Sequence, residues 1–397
     1  MTEVLMIALL YPPDPYAGAA RPHRFAKYLR RSGYQVDVIA GGTESRCIIA
    51  DNVYRVKAAY PTLPKRYRPV VERLARLTLL PCDCGITWVP RVIRVAKQWR
   101  GESRLLISTS PPLTTHLAAL WAKKKFGWPW IADFRDPIVG NPFRPERTRK
   151  VDESLEKLFF QYADMVIANT DSVAELWRTR YPQWRGKIET LWNGFDPEDG
   201  IQALPLPPRP YRVYRHVGAI YGDRFPDLLL NSLPRLINSR RIDNAAIRVE
   251  MIGSCDRPET LAANRPSWFR CDGVEVDKSE ADRLAAESDG LILLDVTKSK
   301  AALQLPGKIF DYLRIGRPIL ACTVSGSPAD RLLSQSGIPY VCLYPQDSTD
   351  EIDRKVLNYL GLPPESTAPS GWFQSNFNAV AQAGKLATLI EDVRTRA

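Results

Sequence analysis

Histidine and cysteine are scarce in this chain, with three His and seven Cys among 397 residues. His23, His116 and His216 form no HExxH and no His-rich metal set. Cys47, Cys82, Cys84, Cys255, Cys271, Cys322 and Cys342 contain no CxxC pair, which argues against a structural zinc. An odd number of such cysteines suits free thiols in a reducing compartment. No apolar run approaches the ~20 residues of a membrane span, and the N-terminal MTEVLMIALLYPP has an acid where a secretory signal has bases. The expectation is a cytoplasmic protein without an anchor of its own. Repeats of short period and low-complexity tracts are also missing.

What is present is ordinary globular material, 45% hydrophobic and 25% charged, long enough to favour two domains over one. The net charge of +11 is uneven: between Arg55 and Arg104 twelve basic residues face only Glu72, Asp83 and Glu102. Such a segment attracts phosphate-rich partners. Within it, WVPRVIRVAKQWR puts Val89, Val92, Ile93, Ala96 and Trp99 on one helical face and Arg91, Arg94, Lys97 and Arg100 toward the other. This helix either lies on anionic lipid or covers a sheet with its charges in solvent. Nucleic acid fits poorly, because no recognisable binding module or aromatic platform accompanies the charge.

The first half alternates apolar strands with amphipathic helices. VLMIALL, a turn-rich loop, RPHRFAKYLRRSG and QVDVIAGG form one βαβ unit, and the pattern recurs through RLLIST, WPWIADFRD, DMVIANT and KIETLWNGF. A parallel sheet covered on both faces is expected. PEDGIQALPLPPRP then reads as a linker. A second α/β series follows: RVYRHVG, IRVEMIG, GLILLDV, PILACTV and IPYVCLY. The fold class is α/β, two Rossmann-like doubly wound domains with ligands at the carboxyl ends of their strands.

Gln304–Leu320, QLPGKIFDYLRIGRPIL, resembles a phosphate site but is no P-loop: Ala302 stands where that loop has its first glycine, and Ile309 where it has Ser or Thr. Pro306 suits a first helical turn, Gly307 allows close approach of backbone N–H groups to an anion, and Lys308 adds a cation. Asp311, one turn later, can accept from a ribose diol. A capped helix with a solvated Lys–Asp pair is the alternative.

These residues resemble bacterial glycosyltransferase family 4. LPGKIFDYLRIGRPIL is similar to its PGK-(L/I)FEYLA-x-G-(R/K)PIL segment, YPPDPYAGAARPHRFAKYLRRSGYQVDVI to its Tyr-Pro-Pro glycine-loop opening, STSPPLTTHLAALWAKKKFGWPWIADFRDP to its SxSPP and DFRDPW segments, and ADMVIANT and LWNGFDPED to its NT and NGFDP elements. The resemblance covers most of the chain. It implies a GT-B architecture, with an acceptor-side domain over residues 1–200, a nucleotide-sugar-binding domain over 201–372, and a C-terminal helix in 373–397, near Phe373 to Arg394, returning to the first domain.

The implied activity is retaining transfer from a UDP- or GDP-linked sugar to a glycan or lipid-linked acceptor of cell-envelope or exopolysaccharide synthesis, peripheral on the inner face of the membrane. No metal is required, in keeping with the lack of a DxD motif. Developing charge on the leaving phosphates calls for Arg224, in GAIYGDRFPD, and Lys308 with the N–H groups around Gly307. The family likeness places Gly18 and Ala19 near the donor phosphates, although Ala17 replaces its commoner preceding glycine, and gives His116 a sugar contact. Simple turn and structural roles are the alternatives for these two sites.

Asp133 and Asp136, with Arg135, end a strand at the ligand edge and are candidates to orient or deprotonate an acceptor hydroxyl; an internal Asp–Arg pair is the alternative. Many retaining members carry two glutamates eight positions apart, where this chain has Leu303 and Asp311. The rival readings are a nucleotide-sugar hydrolase or epimerase, and a non-catalytic nucleotide-binding or membrane-docking subunit.

Overall fold

The apolar run that begins near Val4 becomes a strand buried on both faces, as a parallel sheet flanked by helices requires. A computed structural model of the chain describes residues 2–14, 17–44, 47–58, 87–141, 144, 146–257, 266–297 and 303–396. Two units are distinct: Met1–Asp196 with Ala379–Ala397, and Pro197–Asn378. These borders differ by a few residues from those expected at 200/201 and 372/373.

In chain order the first unit contains β1 (Glu3–Ala8), α1 (Ala20–Arg31), β2 (Gln35–Gly42), β3 (Ile48–Ala50), β4 (Val53–Lys57), α2 (Val89–Ala96), β5 (Leu105–Ser110), α3 (Thr114–Phe126), β6 (Trp130–Phe134), α4 (Arg149–Tyr162), β7 (Met165–Ala168), α5 (Asp171–Arg180) and β8 (Ile188–Thr190). The sheet order is β3-β4-β2-β1-β5-β6-β7-β8. The sequence reading expected a parallel sheet, and one pair departs from it: β3 runs antiparallel to β4. Asp51 and Asn52 make that hairpin, both in the left-handed region at φ 49° and 60°, which short Asx side chains tolerate.

Strand order reverses at β1, which pairs with β2 on one side and β5 on the other. Such a switch point opens a crevice at the carboxyl ends of the strands. The basic helix α2 buries Trp88, Val92 and Ala96 and packs on α3 and β4. It therefore covers the sheet, while Arg94, Lys97 and Arg100 are exposed. Residues 59–86 of the basic segment, with Cys82 and Cys84, lie outside the described residues.

The second unit contains β9 (Arg212–Val217), α6 (Asp227–Asn238), β10 (Ile247–Ile252), β11 (Phe269–Cys271), α7 (Lys278–Ala286), β12 (Gly290–Leu294), α8 (Lys308–Ile315), β13 (Ile319–Cys322), α9 (Pro328–Ser336), β14 (Tyr340–Leu343), α10 (Thr349–Gly361) and α11 (Gly371–Phe377). Its order, β11-β10-β9-β12-β13-β14, reverses at β9, where β10 and β12 are the parallel neighbours.

The expected single helix near Phe373 to Arg394 is instead two. Asn378 is extended (φ −72°, ψ 148°) and stops α11. Phe373 and Phe377 stay in the second unit against Phe310, at ring-centroid distances of 6.3 and 5.6 Å. Only α12 (Ala379–Arg396) belongs to the first unit, where Leu386, Ile390 and Val393 join the core formed by Val4, Phe25, Leu29 and Val38. Leu386 is fully buried. We expect Leu386→Ala to lower unfolding free energy by about 2–5 kcal/mol, read as a lower denaturant midpoint at unchanged m-value; an unmoved midpoint would mean that α12 is not part of the core.

Candidate functional site

At the switch point of the second sheet, α8 is joined directly to the end of β9. Lys308 Nζ donates to the Val217 carbonyl, and one helical turn later Tyr312 Oη accepts the Val217 N–H at 2.9 Å. Gly218, at φ 139°, makes the approach feasible: a Cβ there would overlap the Lys308 ammonium. The reason for this glycine is thus a neighbouring side chain as well as a backbone angle.

Gly307 is the N-cap of α8, and a Cβ built on it meets nothing within 4 Å, so the helix entrance is open. Burial lowers the Lys308 pKa to about 8; the Asp311 carboxylate opposes that effect and the Arg224 cation adds to it. Lys308 therefore feels the charges of both Arg224, expected with it at the phosphates, and Asp311, expected at the ribose.

Arg224 donates to Tyr221 Oη at 2.5 Å and to Gln304 Oε1 at 3.5 Å. Beneath them Asp295, buried at the end of β12, accepts from Val296 N–H and Thr323 Oγ1, each at 2.8 Å. Burial raises its pKa to about 6 against the pull of these bonds and of Arg224. His216 Nδ1 lies 2.9 Å from the Ile292 carbonyl, linking β9 to β12. Burial first, and the Lys308 charge next, lower its pKa to about 3, so it is neutral.

Asp311 also acts on Lys278 at the start of α7. Burial works against that ammonium, but Asp282, Asp311 and Asp199 outweigh it and raise its pKa. Lys278 lines an open groove of about 450 Å³ with Asp199, Gly200, Ser279 and Asp282.

In the first unit the residues singled out from sequence have different surroundings. His116 is fully buried, its ring 4.2 Å from that of Phe134 and 5.3 Å from that of Phe159. Ser108 Oγ accepts from Trp130 Nε1 at 2.7 Å and lies 2.7 Å from His116 Nδ1. Either imidazole tautomer fits this pair, and Nε2 is buried without a hydrogen-bond partner among the described residues. Burial lowers its pKa to about 3. The expected sugar contact gives way to a core role, because the periodicity that starts α3 turns this position onto the sheet rather than toward the strand ends.

Asp133 is likewise buried, paired with Arg21 at 2.7 Å and accepting from Thr109 Oγ1 at 2.8 Å. Arg21 also donates to the Leu191 and Trp192 carbonyls, each at 2.8 Å. Asp133 is therefore the internal ion pair of the two readings, with Arg21 rather than Arg135 as its partner. Asp136, half-buried at the strand end, retains the ligand-edge position.

Gly18 and Ala19 lie in a 3-10 turn (Ala17–Ala19) that leads into α1. A Cβ at Gly18 would meet the Arg135 guanidinium and Leu10 Cδ1, so the protein's own side chains crowd this position. Arg21, Gly218 and Tyr312 were not chosen from sequence, and Arg135 was named there only beside Asp133 and Asp136. A glycine immediately after the first strand of a Rossmann-like unit was the one legible signal among them.

With this geometry in view, likeness to known proteins can be weighed. Residues 21–199 match the model of Glycosyltransferase Family 4. Through this segment, less than half of the chain, it is similar to Glycosyltransferase Family 4. The fold is that of GT-B glycosyltransferase structures. It resembles sucrose-phosphate synthase from Thermosynechococcus elongatus (TM-score 0.68, 14% identity) and a UDP-forming α,α-trehalose-phosphate synthase from Burkholderia vietnamiensis (TM-score 0.68, 12% identity), each pair covering 100% of both chains. Anabaena HepE, solved with UDP and glucose, aligns at TM-score 0.60 and 14% identity over 98% of this chain and 100% of its own. No curated protein matches the chain. The likeness to family 4 rests on the first unit, whereas the charged strand-end cluster just described lies in the second.

Two outcomes test the clip on Val217. Because the Lys308 pKa is lowered in the fold, the unfolded chain binds more protons between about pH 8 and the ordinary lysine range, and stability should rise with pH there. Lys308→Met should flatten that rise in denaturant titrations, and an unchanged slope would exclude the residue as its source. Gly218→Ala should lower melting temperature by several degrees and displace Lys308; in the Lys308→Ala background the loss should shrink but persist, because the strain of a side chain at φ 139° remains.

Proposed function

We propose that the chain is a retaining glycosyltransferase that moves a sugar from a nucleoside diphosphate to an acceptor hydroxyl, with hexosyl transfer to a lipid-linked or polysaccharide intermediate as its task. The observation that carries this reading is the grouping of Lys308, Arg224, Asp311 and the open entrance of α8 at the switch point of the second sheet. A sugar nucleotide offers a diphosphate for the cations and helix N–H groups and a ribose diol for Asp311. The groove beside Lys278 is the place we assign to the nucleoside. HepE, of the same fold, has also been solved with UDP-glucose.

In the reaction the bond between the anomeric carbon and the diphosphate oxygen breaks while the acceptor oxygen bonds to the same face of the sugar. The acceptor proton passes to the leaving phosphate. Charge gathers on the diphosphate as this happens, and Arg224, Lys308 and the first turn of α8 meet it. The reading therefore needs no metal ion. Asp136 is the acid of the first unit placed to orient the acceptor. Lys308 is part of the grip only while protonated, so diphosphate affinity should fall as pH rises past about 8.

A thermal-shift screen against UDP- and GDP-sugars, then product mass and anomeric NMR, tests the proposal. Transfer with retained configuration is expected, and inversion would sink the mechanism. Lys308→Ala and Arg224→Ala should each weaken nucleotide-diphosphate binding about tenfold, or about 1.4 kcal/mol; unchanged affinity would remove them from the site. Turnover of donor without acceptor would instead support a hydrolase or epimerase.

The exposed Arg94, Lys97 and Arg100 beside α2 support docking on an anionic membrane from the cytoplasmic side. Co-sedimentation with phosphatidylglycerol vesicles should decline with salt and with Arg94→Glu/Lys97→Glu. Binding indifferent to both would end that part of the reading.

A further inference from the structure

We propose that Arg135 is a positioning residue that locks the ligand edge of the first unit without touching substrate, an inference that rests on the transferase reading above. Its guanidinium is shared among backbone carbonyls of loops distant in sequence. Nε donates to the Ser110 carbonyl at 3.1 Å, and the two terminal nitrogens donate to the carbonyls of Gly18 and Pro111. Its own N–H also donates to the Ser110 carbonyl, at 2.9 Å.

One planar fork therefore joins the turn before α1, the turn between β5 and α3, and the end of β6. These are the segments that frame the switch point between β1 and β5. A lysine could satisfy one such carbonyl at a time, whereas the five donors of a guanidinium suit several at fixed angles. Burial lowers the Arg135 pKa, and the carboxylates of Asp136 and then Asp133 oppose that effect. The cation accordingly sits beside the acid assigned to the acceptor, and the missing Cβ of Gly18 leaves room for it. On this account the missing side chain of Gly18 serves Arg135 first and Leu10 Cδ1 second, and moving Gly18 or Arg135 moves both turns and Asp136.

The test is a double-mutant cycle on the full chain, with the donor found in the screen above. Gly18→Ala and Arg135→Ala should each lower kcat by about tenfold or more while donor KM changes less than about threefold, and the double variant should be no worse than Arg135→Ala. An equal loss from Gly18→Ala in both backgrounds would assign Gly18 to the ligand and overturn the proposal. A donor KM raised tenfold at unchanged kcat would do the same, by putting the guanidinium on the donor. If Arg135→Ala does not fold, Arg135→Lys replaces it.

Hydrogen exchange of the same variants separates this proposal from the transferase reading. Both substitutions should speed exchange in the first hydrogen-bonded turns of α1 and of α3, without further gain in the double. That result with no transfer from any donor would leave the lock standing and the transferase reading refuted. Unaltered exchange in α3 would refute the lock whatever the activity.

Discussion

Parallel pairing is the constraint on which the rest of this structure depends. In each unit the chain builds strands outward from a first strand, returns, and adds the next strand on that first strand's other side. Helix–strand crossovers then bring the loops from the carboxyl ends of the parallel strands to one edge, and the reversal leaves two of those loops diverging. Nothing in the hydrogen-bond ladder itself holds the diverging loops in place. Their backbone carbonyls and N–H groups need partners from side chains.

Both units solve that problem with a cation and a glycine. In the second, Lys308 reaches the Val217 carbonyl through the space left by Gly218, and Tyr312 takes the N–H of the same residue. In the first, Arg135 reaches the Gly18 carbonyl past a Cα without a side chain. The consequences differ. A lysine on one carbonyl, with its pKa lowered to about 8, keeps further N–H donors, and the proposed diphosphate grip draws on them. An arginine joined to several carbonyls has little left to offer a ligand, and its role is to place others.

Buried titratable groups show a related division. His116 and His216 both have pKa values lowered to about 3 and both link neighbouring elements through Nδ1. Each is a neutral connector inside its own unit. Asp133 meets Arg21 inside the first unit, where a desolvated pair with further hydrogen bonds is tolerated and an isolated carboxylate would not be. The proposed ligand contacts are by contrast Arg224, Lys308 and Asp311 on the second unit and Asp136 on the first.

The sequence by itself determined the two α/β series, the parallel order of strands and helices, and the likeness to family 4, because periodicity, turn residues and ordered motifs are local properties of the chain. It also marked Gln304–Leu320, since a glycine and lysine at a helix entrance announce themselves by spacing. It could not tell that Gly18 faces Arg135 or that Gly218 faces Lys308, contacts across 117 and 90 positions. Nor could it tell that the His116 face of α3 turns inward, or that Asn378 stops a helix which the apolar pattern alone would continue. Those outcomes depend on which side chain meets which backbone group once strands are paired, and only the tertiary structure decided them.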